Sequence, residues 1–108
     1  MSQIDLPPYR WFISRQGGRI IMNTYSGSLG TLLDKGCLST LTFNYRVYVD
    51  ISSEKEDEFR IVAESYTVQP WHLGGNKSDF ERTEFEASEE GLRLASKHLV
   101  LTAAKYGF

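Results

Sequence analysis

Leu41, Phe43, Tyr45, Val47, Val49 and Ile51 alternate with Thr42, Asn44, Arg46, Tyr48 and Asp50. Side chains of a strand point to opposite faces in turn, so this pattern predicts a long strand with one buried and one wet face. The charged turn SSEKEDE follows, and Phe59 to Val68 predicts the returning strand. Its alternation is less regular. Phe59, Ile61 and Ala63 share one face, whereas Val62, Tyr66 and Val68 share the other. Either a bulge near Glu64 shifts the register or both faces of that strand are covered. Phe80 and Phe85, with charged residues between them, suggest a further short strand.

Upstream, Pro7-Pro8 disfavours helix and makes residues 1–8 an extended lead-in. Tyr9 to Ser14 is aromatic and β-branched and reads as a strand. Gly17-Gly18 provides two positions that accept positive φ, the signal for a tight hairpin, and Arg19 to Tyr25 is the expected return. The glycine-rich segment 26–37, SGSLGTLLDKGC, reads as a long loop, with Leu29, Leu32 and Leu33 tucked under the sheet edge or forming an apolar contact surface.

The C-terminal pattern changes period. Ser88 is placed to cap a helix, and Glu89 and Glu90 suit the positive end of its dipole. Leu92, Ala95, Leu99, Ala103 and Tyr106 recur at helical spacing, and Gly107 ends the run. A run of strands followed by one helix predicts an α+β domain spanning 1–108. Its antiparallel β-sheet has four to five strands, and the C-terminal α-helix, residues 88–106, packs on one face. The stripe against Phe43, Tyr45 and Val47 forms the expected core.

Composition adds boundaries. A formal charge of −2 creates no whole-molecule field that would recruit nucleic acid or an anionic membrane. The lone Cys37 excludes an internal disulfide, and a reducing, cytoplasmic setting is expected. No apolar run approaches the roughly 20 residues needed to cross a bilayer. MSQIDLPPYR lacks the basic and apolar segments of a secretory signal.

Catalytic signatures are sparse. Cys37, His72 and His98 have none of the spacings of structural zinc ligands, and His98 reads as a solvated helix residue. Cys37 with either histidine lacks a local nucleophile–base pattern, so it reads as a structural thiol. GGNKS holds the residue types of a phosphate loop without the Walker spacing, and a strand rather than a helix follows it. The expectation is a non-catalytic protein without cofactor or metal.

Binding surfaces are more visible. Leu94 and Leu101 lie opposite the buried stripe of the helix, beside Lys97 and His98, where polar residues belong. Covered by the 26–37 loop they would be core; exposed, they would dock a protein partner or pair helices in a homodimer. Trp71 and His72, in the turn QPWHLGGNKS, are the second candidate: Trp71 either closes the core or anchors an interface. The acids at 81, 84, 86, 89 and 90, with those of 54–58, suggest a phosphate-like patch of the kind a small phage or mobile-element inhibitor would present to a host nucleic-acid-processing system. The alternative function is single-stranded nucleic-acid binding by Arg46, Tyr48, Arg60 and Tyr66 on the wet sheet face. A small enzyme ranks third.

Overall fold

The computed structural model describes residues 4–30, 42–52, 54, 58–68 and 77–108, with backbone alone at 77 and 78. In chain order the elements are α1 (Tyr9–Phe12), β1 (Ile13–Gln16), β2 (Arg19–Met22), β3 (Tyr25–Gly30), β4 (Thr42–Ile51), β5 (Phe59–Val68), β6 (Lys77–Glu86) and α2 (Glu89–Ala104). The class is α+β. Strands β3-β4-β5-β6 form an antiparallel four-stranded sheet in sequence order, and β1-β2 form a separate two-stranded sheet.

The alternation of β4 sets the inside of the molecule. Phe43, Tyr45, Val47 and Val49 are buried, and they pair in register with Thr67, Ser65, Ala63 and Ile61 of β5. Leu92, Ala95, Leu99 and Ala103 of α2 join the same cluster. Burying a side chain the size of Phe43, Ile61 or Leu99 stabilises the fold by about 1.5–3 kcal/mol. The helix begins where Ser88 Oγ accepts the Gly91 N–H at 3.1 Å, and it is followed by Gly107 at φ 88°. Ile51, grouped with the inward residues by pattern, lies at the strand end and is exposed.

A second layer covers the part of the inner face beyond α2. Tyr25 lies 6.1 Å from Trp11 and 6.4 Å from Tyr45, and Phe43 stacks at 6.3–6.4 Å on Tyr45, Tyr106 and Phe108. This row of rings joins the N-terminal turn to the C-terminus across β3 and β4. Residues 4–8 of the lead-in run beside α2, with Ile4 buried and its carbonyl accepting a hydrogen bond from Ser96 Oγ.

Three expectations need correction. Tyr9 to Phe12 is a helical turn, and the strand starts only at Ile13. Pro8 precedes the turn, the Trp11 N–H donates to the Pro8 carbonyl at 2.8 Å, and the Tyr9 N–H is satisfied by Glu89 Oε1 of α2 at 2.8 Å. That long-range bond overrides the local β preference and swings Phe12 into the core. Second, the return strand of the hairpin ends at Met22, so Tyr25 belongs to β3. Third, residues 26–30 of the expected loop form most of β3, paired to β4, with Leu29 packed against the core. Gly27 fits there because the Tyr45 ring crosses it: a Cβ would stand 2.3 Å from Tyr45 Oη. The rest of that loop, with Leu32, Leu33 and Cys37, lies outside the described residues.

Both explanations offered for β5 apply. The pairing with β6 shifts between Ser65 and Thr67, and on the outer face Val62 and Glu64 are also buried. At the shift, Asp79 takes φ 56° and Phe80 is turned outward, 61% exposed.

Gly91 fixes how closely α2 approaches β6. A Cβ there would lie 1.7 Å from the Glu86 carbonyl oxygen, whereas at Gly30 the nearest atom would be 3.9 Å away. Gly91→Ala is expected to lower unfolding free energy by about 3 kcal/mol, at the upper end of overpacking effects. Gly30→Ala should change it by about 0.5 kcal/mol or less. Urea denaturation of the two variants measures both.

Candidate interaction surfaces

Because α2, the N-terminal turn and the C-terminal rings occupy one face of the main sheet, the opposite face carries no further helix or strand among the described residues. Register places Thr42, Asn44, Arg46, Tyr48 and Asp50 of β4 there, beside Arg60, Val62, Glu64 and Tyr66 of β5 and Arg82, Glu84 and Glu86 of β6. All four residues of the nucleic-acid alternative, Arg46, Tyr48, Arg60 and Tyr66, therefore share one surface, as the alternation implied.

Two of the four, Arg46 and Tyr48, are committed to Glu64. Its carboxylate, only 9% exposed, accepts both Nε and Nη2 of Arg46 on Oε1 and the Tyr48 hydroxyl on Oε2 at 3.0 Å. Arg82 Nε stands 3.9 Å from the same Oε2, and its Nη groups reach Asp50 at 3.8 Å and Glu84 at 3.6 Å. The Arg46 guanidinium also lies 5.2 Å from the centre of the Tyr48 ring. The Glu64 carboxylate holds the Arg46 guanidinium in charge-assisted hydrogen bonds and that of Arg82 in a longer ion pair, rather than leaving them as phosphate anchors. Arg46, Arg60 and Arg82 face Asp50, Glu64, Glu84 and Glu86, so acids outnumber bases among the described side chains here. An open basin of about 510 Å³ remains beside this network, lined by Ser26, Ser28, Asn44, Arg46, Tyr66 and Phe80.

The acids of β6 do not form one patch. Glu84 and Glu86 share the open face with Arg82, whereas Glu81, opposite Ser65, points to the helix side. Glu90 is paired with Arg93 and Glu89 holds the Tyr9 N–H.

On α2, Leu94 and Leu101 are 40% and 50% exposed. His98, beside that ridge on the helix, is only partly exposed. Its Nε2 is 3.2 Å from Thr83 Oγ1, and its ring is 5.7 Å from that of Phe85, so the imidazole packs on β6. Trp71 and His72 lie outside the described residues. Among the described residues, no group of three or more His, Cys, Asp or Glu is arranged to hold a metal ion, and no helix is long and apolar enough to cross a membrane.

The surface that sequence reading overlooked is the β1–β2 hairpin. Gly17 and Gly18 take φ 54° and 79°, the pair Gln16↔Arg19 closes the turn, and Ile13↔Met22 lies at the base. Asn23 ties that base down: its N–H donates to the Phe12 carbonyl at 2.9 Å and its side-chain amide to the Trp11 carbonyl at 2.7 Å. Along the return strand, Ile20, Ile21 and Met22 are exposed, at 47%, 38% and 53%. The signal was present in the sequence: three successive aliphatics after the turn, RIIM, lack the alternation that would send one face to a core.

Comparison with family models, with characterised proteins and with solved structures finds no match to this chain.

Two measurements probe the two faces of the sheet. Glu64→Ala removes the shared acceptor of Arg46 and Tyr48 and the ion-pair partner of Arg82. Because Arg46 is about half exposed, water recovers part of the loss, and about 1–2 kcal/mol of destabilisation is expected on urea titration. The second is alkaline titration. Burial raises the phenol of Tyr48, and burial, followed by the nearby Tyr25 and Asp5, raises that of Tyr45, each above the ordinary 10.0. The folded state then keeps protons that the unfolded chain releases, so this stability is complete below pH 10 and falls as pH rises through the folded-state values. The phenolate absorbance contributed by Tyr45 and Tyr48 should appear together with loss of the far-ultraviolet circular dichroism signal, above pH 10.

Proposed function

We propose that this protein is a non-catalytic binding protein that recognises a protein partner, with the N-terminal hairpin as its principal contact. The observation that carries the reading is the exposure of Ile20, Ile21 and Met22 on a two-stranded ribbon. Adjacent exposed aliphatics of this kind mark interaction sites, and a two-stranded sheet is at best marginally stable in water without a layer against it. Trp11, itself exposed, extends the apolar surface at the hairpin base. Leu94 and Leu101 on α2 form a second, smaller candidate.

The single-strand nucleic-acid reading retains Tyr66 and Phe80 as stacking surfaces in the basin, but Arg46 and Tyr48 are held by Glu64 and the face carries an excess of acid. Inhibition of a host nucleic-acid-processing system stays within the protein-binding reading as one role such a partner would imply. Its charge-mimic form is weakened by the division of the β6 acids between two faces.

The test is photo-crosslinking in the native host, with a benzophenone side chain at Ile21 and, separately, at Leu101. A discrete protein adduct from Ile21 is expected, and its loss in an Ile20→Lys background would map the contact. If neither position yields a protein adduct, the reading fails. Leu94→Lys with Leu101→Lys should remain folded, within about 0.5 kcal/mol of the parent per site. Unfolding of that variant would return the ridge to the core.

A further inference from the structure

The hairpin differs from the rest of the chain in charge. Residues 6–30 contain Arg10, Arg15 and Arg19 and no acid, which leaves −5 on the remainder of a chain whose formal charge is −2. Among the described residues none of these arginines makes an ion pair. Cross-strand pairing puts Ile13, Arg15, Ile20 and Met22 on one ribbon face, and Ser14, Gln16, Arg19 and Ile21 on the other. Each face thus offers aliphatic surface with a cation toward the tip. The natural complement is an apolar surface flanked by carboxylates.

The chain itself supplies such carboxylates. Asp50, Arg60 and Glu86 share the last rung of β4-β5-β6, and exposed Glu54 and Glu58 lie just beyond it. Tyr25, where the polypeptide leaves the hairpin, pairs with Val47, three residues from Asp50 on β4. Arm and acidic end therefore sit at the same end of the sheet. A twofold axis there brings each arm to the partner's carboxylates, an isologous arrangement with two equal contacts.

We propose that the hairpin is an exchange arm whose occupant is the acidic end of a second copy of this chain. The proposal rests on the protein-binding reading and names the partner of that same surface. Arm-to-arm pairing is disfavoured, because it would set Arg15 and Arg19 of one copy against those of the other. Nucleic acid is disfavoured because a body carrying −5 follows the arm toward the phosphates.

Sedimentation velocity of the full chain, in low salt and in molar salt, tests this. A dimer in low salt is expected, weakened roughly tenfold or more by molar salt because the contact is charged and partly exposed. Arg15→Glu with Arg19→Glu should give a folded monomer, and adding Glu54→Arg with Glu58→Arg to it should restore the dimer. Circular dichroism checks that each variant is folded. A monomer under all conditions overturns the proposal, as does a dimer indifferent to both salt and the arginine reversal. A fluorescein-labelled DNA duplex that binds the monomer with steep salt dependence would assign the arginines to nucleic acid instead. If self-association fails while Ile21 still crosslinks a different protein, only the identity of the partner is overturned, and the protein-binding reading stands.

Discussion

Burial of one face of β4 and β5 under the apolar stripe of α2 is the contact on which the other features depend. It decides which side chains of the alternating strands are available to solvent. It also requires α2 to approach β6 closely enough that Gly91 has no room for a methyl group. The helix covers β5 and β6 most closely, and the inner face of β3 and β4 is completed by the rings of Trp11, Tyr25, Tyr45, Phe43, Tyr106 and Phe108. The N-terminal turn and residues 106–108 are thereby joined to the same core.

The open face is shaped by a different constraint. A carboxylate as shielded as Glu64 needs cationic or hydrogen-bonding partners, and it draws Arg46, Tyr48 and Arg82 toward itself. The surface that looks most suited to nucleic acid in one dimension becomes internally compensated in three. What is left for binding there is the basin beside Tyr66 and Phe80, where an irregular register turns an aromatic outward.

The hairpin stands apart from both. It lacks a core of its own, is anchored through Asn23 and carries arginines that make no ion pair among the described residues, set among exposed aliphatics. Separation of a basic arm from an acidic body gives a surface that can both attract and select, since opposite charge favours arm-to-body contact and like charge opposes arm-to-arm contact. In a chain near neutrality overall, only the distribution of charge carries this information.

Several features were legible in one dimension. Period-two alternation in β4, the Gly17-Gly18 turn and the capped, striped C-terminal helix were readable because they arise within a few residues of one another. They also defined the class and placed Arg46, Tyr48, Arg60 and Tyr66 on one face. Tertiary structure decided the rest, wherever a distant group outweighs local preference. Glu89 stabilises a helical turn in a β-prone segment, Tyr45 makes room for Gly27 in a strand that reads as loop, and Thr83 and Phe85 engage His98. Glu64, one charged residue among several along the chain, becomes the hub of the open face only once β4, β5 and β6 lie side by side, because its low exposure and its partners are properties of neighbours remote in sequence.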